Sequence, residues 1–343
     1  MARILMLDQG LPFGPDTPDR EPLGGAESAF AWLARALARR GHAVTVRTAD
    51  GPTVHDGALD WGPLGGPLPA ADMVVANRRP ALFAGTPGRA RRVLWLHNRA
   101  GPLGRIGARL TLLTARPTLV VTSAYHRSTL PSGLIGCPVA TIPLAPGDLF
   151  RTATPAETPP PPRAIFTSNP VRGLDRLLDL WVERIRPSVP DGELHLFGGP
   201  EIYRTGKGRR AADIMARVLD RARGLGPSGV VVNPPATREG LAAALRGSRA
   251  LLYPGSAEET YCLAAAEAQA MGVPAVLGDV GCLAERVVDG ETGFLTGDEA
   301  AFRDRAVAVL TDAALWARLS AGALARRGAR SWDDVARDFE ALL

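Results

Sequence analysis

The sequence predicts an α/β protein built from two parallel-sheet domains. Three observations carry that expectation. Short apolar runs alternate with helical patterns along the chain, as they do in strand–helix–strand units. The stretch 151–163, RTATPAETPPPPR, has no hydrophobic periodicity and divides the alternation in two. The length, 343 residues, suffices for two ordinary domains, each with its own core. The expected division is a first domain over 1–150, a semi-rigid linker over 151–163, a second domain over 164–330 and a closing helix over 331–343.

In the first half, residues 3–7 (RILML) read as a buried parallel strand. Asp8-Gln9-Gly10 and a Pro/Gly-rich loop lead to Gly24-Gly25-Ala26-Glu27-Ser28. There a helix opens, with Ala29, Phe30, Leu33 and Leu37 on one face before Gly41. A glycine pair ahead of a helix lets backbone approach a ligand closely, and the helix end favours phosphate. The same pair also serves as a plain capping turn. It is not GxGxxG, which argues against a nicotinamide dehydrogenase. Further strands are expected at 42–46, 72–77, 92–97, 119–123 and 139–143. His97 falls at the carboxyl end of its strand, where ligands collect in open α/β sheets, although a lone histidine is more often structural.

The second half repeats the alternation. A strand at 164–166 runs into Thr167-Ser168-Asn169-Pro170-Val171-Arg172-Gly173, and a helix carries Leu174, Leu177, Leu178, Trp181 and Ile185. Strands follow at 193–197, 230–232 and 250–253, with Gly198-Gly199 after the first and a helix at 239–245 before the last. Then comes the most informative stretch, 253–298. Pro254, Gly255 and Ser256 form a loop, Glu258 and Glu259 an acidic pair, and residues 260–271 a small-residue helix. Gly272 sits at the C-cap position, Pro274 blocks continuation, and 275–277 is a buried strand. The segment 331–343 has a Ser cap followed by Trp332, Val335, Phe339 and Leu342.

Glu259 at the entrance of that helix and Glu267 two turns inside stand about 12 Å apart at helical rise. A helix entrance attracts an anion. An anion flanked by two hydroxyl-seeking carboxylates suits a sugar, a diphosphate and a ribose in a row. The plainer alternative is that Glu259 complements the helix dipole and Glu267 is solvated.

Composition narrows the classes. Hydrophobic content of 46% is that of a globular protein, and no apolar run reaches the length of a membrane-spanning helix. Met1-Ala2-Arg3 leads into Ile4-Leu5-Met6-Leu7, too short a core for a signal peptide, so a cytoplasmic protein is expected. Cys137, Cys262 and Cys282 lack CxxC spacing, and five scattered histidines form no HxxxH pair. No protein-built metal site is expected. Residues 1–150 hold sixteen basic and ten acidic residues, a net of +6, while the remainder carries −1. From 73 to 147 there are ten arginines and no acid. Between 103 and 116, Ile106, Leu110 and Leu113 form one helical stripe and Arg105, Arg109 and Arg116 another. One reading is a surface for anionic lipid headgroups or a phosphorylated acceptor; the other is a solvated face in an arginine-rich composition. Nucleic acid is a poor partner, because no recognition motif or aromatic platform accompanies the charge.

The stretch 253–298 resembles the donor-site signature of the family 4 (group 1) glycosyltransferases, whose fold is GT-B: two Rossmann-like domains with parallel sheets facing across a cleft. The matching residues are Glu259, Glu267, Ala268, Gly272-Val273-Pro274, Asp279, Gly281, Glu285 and Gly290-Glu291-Thr292-Gly293. Gly24-Gly25-Ala26-Glu27 resembles the family's GGAE-type loop, and Arg172-Gly173 its Lys-Gly. Two departures stand out. Thr260-Tyr261-Cys262 replaces a common Gly-Phe-Gly, and Ser168 and Asn169 stand where the family has an arginine.

The resemblance implies transfer of a sugar from a nucleotide-sugar donor to an acceptor hydroxyl, of hexosyltransferase type and with retained anomeric configuration. It implies no metal or other cofactor. Glu259 would hold sugar hydroxyls and Glu267 the ribose. Arg172, the helix entrance near Thr260 and Tyr261, and Gly24-Gly25 would neutralise the diphosphate. His97 would line the sugar pocket, and Lys207 is a candidate for the missing cation. The acceptor would be a sugar, a lipid-linked or a small molecule, in bacterial cell-envelope, polysaccharide or glycolipid synthesis. The setting would be the cytoplasm or the inner face of the plasma membrane. A non-catalytic nucleotide-sugar-binding subunit and a sugar-nucleotide epimerase are the alternatives.

Overall fold

The structure, a computed structural model, describes residues 1–134, 136–200, 202 and 209–343. Lys207 lies outside the described residues. The chain forms two compact units. The first comprises Met1–Pro18, Leu23–Ala145 and Ser331–Leu343; the second comprises Asp19–Pro22 and Pro146–Arg330.

The first unit is built on an eight-stranded sheet. Its strands are β1 (Arg3–Asp8), β2 (Ala43–Thr48), β3 (Val54–Asp56), β4 (Leu59–Pro63), β5 (Met73–Asn77), β6 (Arg91–Trp95), β7 (Thr118–Val121) and β8 (Val139–Thr141), in the order β3-β4-β2-β1-β5-β6-β7-β8. Every pairing is parallel except β3 with β4. The sequence reading did not include β3 and β4. They are short, Gly57 lies between them and Gly62 and Pro63 end β4, so the brief alternation of Leu59, Asp60 and Trp61 does not stand out. The central strands are buried on both faces, which is why they read as continuous apolar runs.

Three strands end sooner than expected, β8 among them, which stops at Thr141 rather than Pro143. β6 stops at Trp95, so His97 lies two residues past the sheet. β7 stops at Val121, and Ser123 caps the helix Ala124–Ser128 by accepting from the His126 backbone N–H at 2.9 Å.

The helix Trp332–Glu340 packs inside this first unit, beside the helix Gly25–Arg39. Ser331 and Asp334 form a reciprocal capping box. Trp332, Val335, Ala336 and Phe339 are buried, with the Trp332 ring 5.4 Å from Trp32 and the Phe339 ring edge-on to Trp95 at 5.0 Å. Leu342, expected on this stripe, lies past the helix end and is half-exposed. Glu340 accepts from Arg40 Nε and Nη2 at 2.6 and 2.7 Å, and His42 Nε2 lies 2.8 Å away. Chiefly through the Arg40 hydrogen bonds, the Glu340 carboxyl is pulled down to about 2.

The second unit holds a six-stranded parallel sheet of β9 (Arg163–Phe166), β10 (Glu193–Phe197), β11 (Val230–Asn233), β12 (Ala250–Tyr253), β13 (Ala275–Gly278) and β14 (Gly293–Thr296), in the order β11-β10-β9-β12-β13-β14. Two boundaries correct the sequence reading. Arg151 and Thr152, expected in the linker, end a short helix Asp148–Thr152 anchored by buried Phe150. The helix expected at 260–271 runs only from Leu263 to Ala270. Among the described residues no single helix is long and apolar enough to cross a membrane.

Candidate functional site

Among the parallel strands of each sheet, the order reverses at one place. In the second unit it lies between β9 and β12, and in the first between β1 and β5. The crevice outside the carboxyl ends at such a point is where open parallel sheets bind ligands. In both units a buried carboxylate at or beyond the ends of those two strands is tied to an arginine.

In the second unit the carboxylate is Glu259, buried in the segment after β12. Three donors converge on its Oε1. Arg172 Nη1 donates at 2.8 Å, Tyr253 Oη at 2.7 Å and Ser168 Oγ at 3.3 Å. Ser168 and Arg172 follow β9, and Tyr253 ends β12, so the cluster spans the switch point. Burial, and then the Glu259 charge, push the Tyr253 hydroxyl well above its ordinary range, so it stays a donor. Gly173, with φ of 87°, lets the loop pass close to the next: a Cβ there would meet Gly255 O at 2.7 Å.

The sequence reading gave Arg172 and Glu259 separate duties, on diphosphate and sugar; the structure pairs them directly. Ser168, noted only as the site of a missing cation, and Tyr253, read only as strand, are both part of the cluster. The switch-point rule applied to residues just past β9 and β12 would have found them.

Glu259 is not on the helix, so helical rise does not measure its separation from Glu267. Thr260 and Tyr261, expected at the helix entrance, lie in the turn before it and are buried. The Tyr261 ring sits under the Arg286 guanidinium, 4.0 Å from Cζ to the ring centroid. Cys262 is the N-cap and holds φ of 64°. A residue with a Cβ in that left-handed conformation carries roughly 1 kcal/mol of strain, and glycine is its usual occupant. The first-turn residues Leu263 and Ala264 are half-exposed.

Glu267, the fifth residue of the helix, lies little more than one turn inside it. It is buried rather than solvated, and Arg238 Nη1 donates to its Oε1 at 2.7 Å. Burial pushes the Glu267 carboxyl up, and Arg238 partly draws it back. No sequence signal marked Arg238.

In the first unit the carboxylates are Asp8, ending β1, and Glu27, in the first turn of the helix Gly25–Arg39. Arg78, just after β5, donates to both: Nη2 to Asp8 Oδ2 at 2.9 Å and Nη1 to Glu27 Oε1 at 2.7 Å. Asn77 Nδ2 also donates to Asp8 Oδ2, at 2.5 Å, and Gly10 N to Oδ1 at 2.5 Å. Arg78 itself has φ of 64°. The sequence reading missed this cluster, which ties the helix behind Gly24 and Gly25 to the ends of two strands. Gly24 is the N-cap, with an ordinary φ of −62°, so positive φ is not what requires glycine there.

His97 lies against Trp95, ring centroids 4.4 Å apart. Burial, then the nearby Arg78 charge, hold it well below the usual imidazole range, so it is neutral at neutral pH. Gly24, Gly25 and His97 thus belong to the first unit, and Arg172, Glu259, Thr260, Tyr261 and Glu267 to the second. Among the described residues no group of three His, Cys, Asp or Glu side chains is placed to hold a metal ion.

Residues 161–312 match the family described as Glycosyl transferases group 1. A D-inositol 3-phosphate glycosyltransferase of Frankia alni is 31% identical over 268 residues, which cover 70% of this chain and 61% of that protein. A protein of the same name from Nocardioides is 36% identical over 149 residues, covering 41% and 31%. The chain therefore spans less than two thirds of the length of these relatives. Among solved structures, sucrose-phosphate synthase of Thermosynechococcus elongatus matches with a TM-score of 0.71 at 18% identity, covering 100% of this chain and 98% of that one. Anabaena Alr3699/HepE in complex with UDP and glucose matches with a TM-score of 0.70 at 15% identity, over 99% of each chain. By its motif residues, its two strand-order reversals and these matches, the chain belongs to the family 4, group 1 glycosyltransferases with the GT-B fold.

Proposed function

We propose that the chain transfers a sugar from a nucleotide-sugar donor to an acceptor hydroxyl, with retention at the anomeric carbon. The observation that carries this reading is the convergence of Ser168, Arg172 and Tyr253 on Oε1 of Glu259 at a switch point. These three donors all take Oε1, and in this reading Oε2 meets a sugar hydroxyl. Arg172, anchored on that carboxylate, has guanidinium N–H groups in a fork that suits the departing diphosphate. The half-exposed first turn at Leu263 and Ala264 adds backbone N–H groups at a helix N-terminus. Stabilising charge as it builds on the leaving phosphate is the electrostatic part of such catalysis. Thr260 and Tyr261 shape that turn, and Glu267 takes the ribose. The first unit takes the acceptor, with His97 as a neutral hydrogen-bonding group and Gly24-Gly25 allowing close approach.

The neighbour that carries UDP and glucose supports UDP-glucose as a first probe. The test is transfer or donor hydrolysis by purified protein across UDP-, GDP-, ADP- and dTDP-sugars, with the anomeric form of the product read by NMR. Turnover with an inverted product removes retention. Nucleotide-sugar binding without turnover for any acceptor favours the non-catalytic subunit instead.

One surface supports a membrane partner. On the helix Ile106–Ala115, Ile106, Leu110 and Leu113 are 79%, 60% and 49% exposed. Arg105 and Arg116 flank them in the open, while Arg109 is held by Gly104 O and Ser132 O at 3.1 and 3.0 Å. An exposed apolar stripe rimmed by arginine fits an anionic bilayer surface, consistent with work on lipid-linked acceptors. Sedimentation with anionic vesicles at low salt should carry the protein down, and Leu110→Asp should abolish it. No binding at low salt sinks the membrane reading.

A further inference from the structure

Arg238 opens the helix Arg238–Arg246, and its backbone is fixed from both sides. β11 ends at Asn233, and Pro234 and Pro235 stiffen the connection. Thr237 caps the helix, its hydroxyl accepting from Gly240 N at 3.2 Å. From that anchored start the side chain reaches another helix, where Nη1 meets Glu267 Oε1 at 2.7 Å. Both side chains are nearly covered, at 11% and 4% exposure. Burying an ion pair gains little over burying two well-packed apolar groups, because desolvation offsets the attraction. Stability therefore does not explain the pair. What it provides, and an apolar pair cannot, is a charged hydrogen-bond acceptor held in one orientation.

We propose that Arg238 is a positioning residue of the donor site, occupying Oε1 of Glu267 so that Oε2 is presented, as an oriented anion, to the ribose hydroxyls of the nucleotide. The proposal rests on the reading that Glu267 meets the ribose. Its consequence is chemical. The neighbours of Glu267 on its own helix, from Leu263 to Ala270, are uncharged. Among the described residues Arg238 is the one charged group resolved as acting on it, against burial that favours the protonated acid. Without Arg238 the carboxyl takes up a proton at higher pH. It then becomes a neutral acid, a poorer acceptor for hydroxyl donors.

The test is calorimetric binding of UDP-, GDP-, ADP- and dTDP-glucose to the folded protein between about pH 6 and about pH 8.5, a window in which ordinary carboxylates do not titrate. With the nucleotide sugar that wild type binds best, Arg238→Met should lose roughly tenfold or more in affinity at the acid end and recover toward wild type at the alkaline end. Arg238→Lys should restore most of the acid-end binding. In the Arg238→Met, Glu267→Gln double variant nothing titrates, so the extra pH dependence should vanish. Equal weakening of Arg238→Met at every pH, or none at all, overturns the proposal. Wild-type affinity in Glu267→Gln alone, or no binding of any of the four by wild type, removes the ribose reading instead.

Discussion

Arg172 Nη1 lies 2.8 Å from Glu259 Oε1, in a cluster that bridges the ends of two neighbouring strands. Each side chain is mostly buried, so neither is a bystander to the other. Removing the arginine leaves a buried carboxylate with no counter-charge, held only by the Tyr253 and Ser168 hydroxyls, at a cost of up to about 3–5 kcal/mol. Arg172→Ala and Glu259→Ala should each lower transfer by orders of magnitude. Arg172→Lys keeps the charge but not the fork, and should retain more activity than Arg172→Ala. Circular dichroism on each variant separates loss of fold from loss of chemistry; near-normal rates in both alanine variants would refute the site.

The clamp of Arg78 on Asp8 and Glu27 makes a matching prediction for the first unit. Arg78→Ala strands two buried carboxylates and should destabilise that unit by about 3–5 kcal/mol. Glu27→Gln keeps a hydrogen-bond acceptor and should cost about half as much or less. Urea unfolding followed by tryptophan fluorescence measures both.

His126 predicts acid sensitivity. Its Nδ1 accepts from the Thr122 N–H at 3.1 Å and its Nε2 faces Asn98 O at 2.9 Å, a pattern only the neutral ring satisfies. Burial lowers its pKa from 6.5 to about 4. That preference is fully present above the unfolded value and is lost as pH falls through the folded one. Stability should therefore drop by roughly 3 kcal/mol between those limits. Urea midpoints against pH check it, and His126→Asn, which cannot titrate, should flatten the slope.

Cys262 supplies a backbone prediction. At φ of 64°, Cys262→Gly relieves strain of roughly 1 kcal/mol and should be nearly neutral, since the buried thiol is lost with it. Cys262→Val, β-branched, should cost roughly 2 kcal/mol or more. A valine variant as stable as the glycine variant would show that the turn relaxes out of the left-handed region.

Much of this protein was legible because buried parallel strands write themselves as apolar runs. Arg3–Asp8, Met73–Asn77 and Ala250–Tyr253 are examples. The motif residues Glu259 and Glu267 were legible for a different reason, the resemblance of the whole stretch 253–298 to a family signature; their spacing alone left the plainer reading open. What did not show was pairing. Arg238 reaches Glu267 across 29 positions, and Arg78 reaches Asp8 across 70, distances at which no local pattern records a contact. The helix start was misplaced for a third reason. Thr260 and Tyr261 have ordinary helix-compatible chemistry, and only the left-handed Cys262 delays the first turn.

The helix Trp332–Glu340 belongs to the unit that begins at Met1, yet it is made after everything else in that unit and in the second. During synthesis the seats for Trp332 and Phe339, beside Trp32 and Trp95, stay vacant until residues 331–343 emerge. A chain usually matures from its beginning, one domain at a time. Here the middle can finish while the beginning waits, and a nascent chain stalled before Ser331 would display a sticky seam to whatever chaperone is nearest.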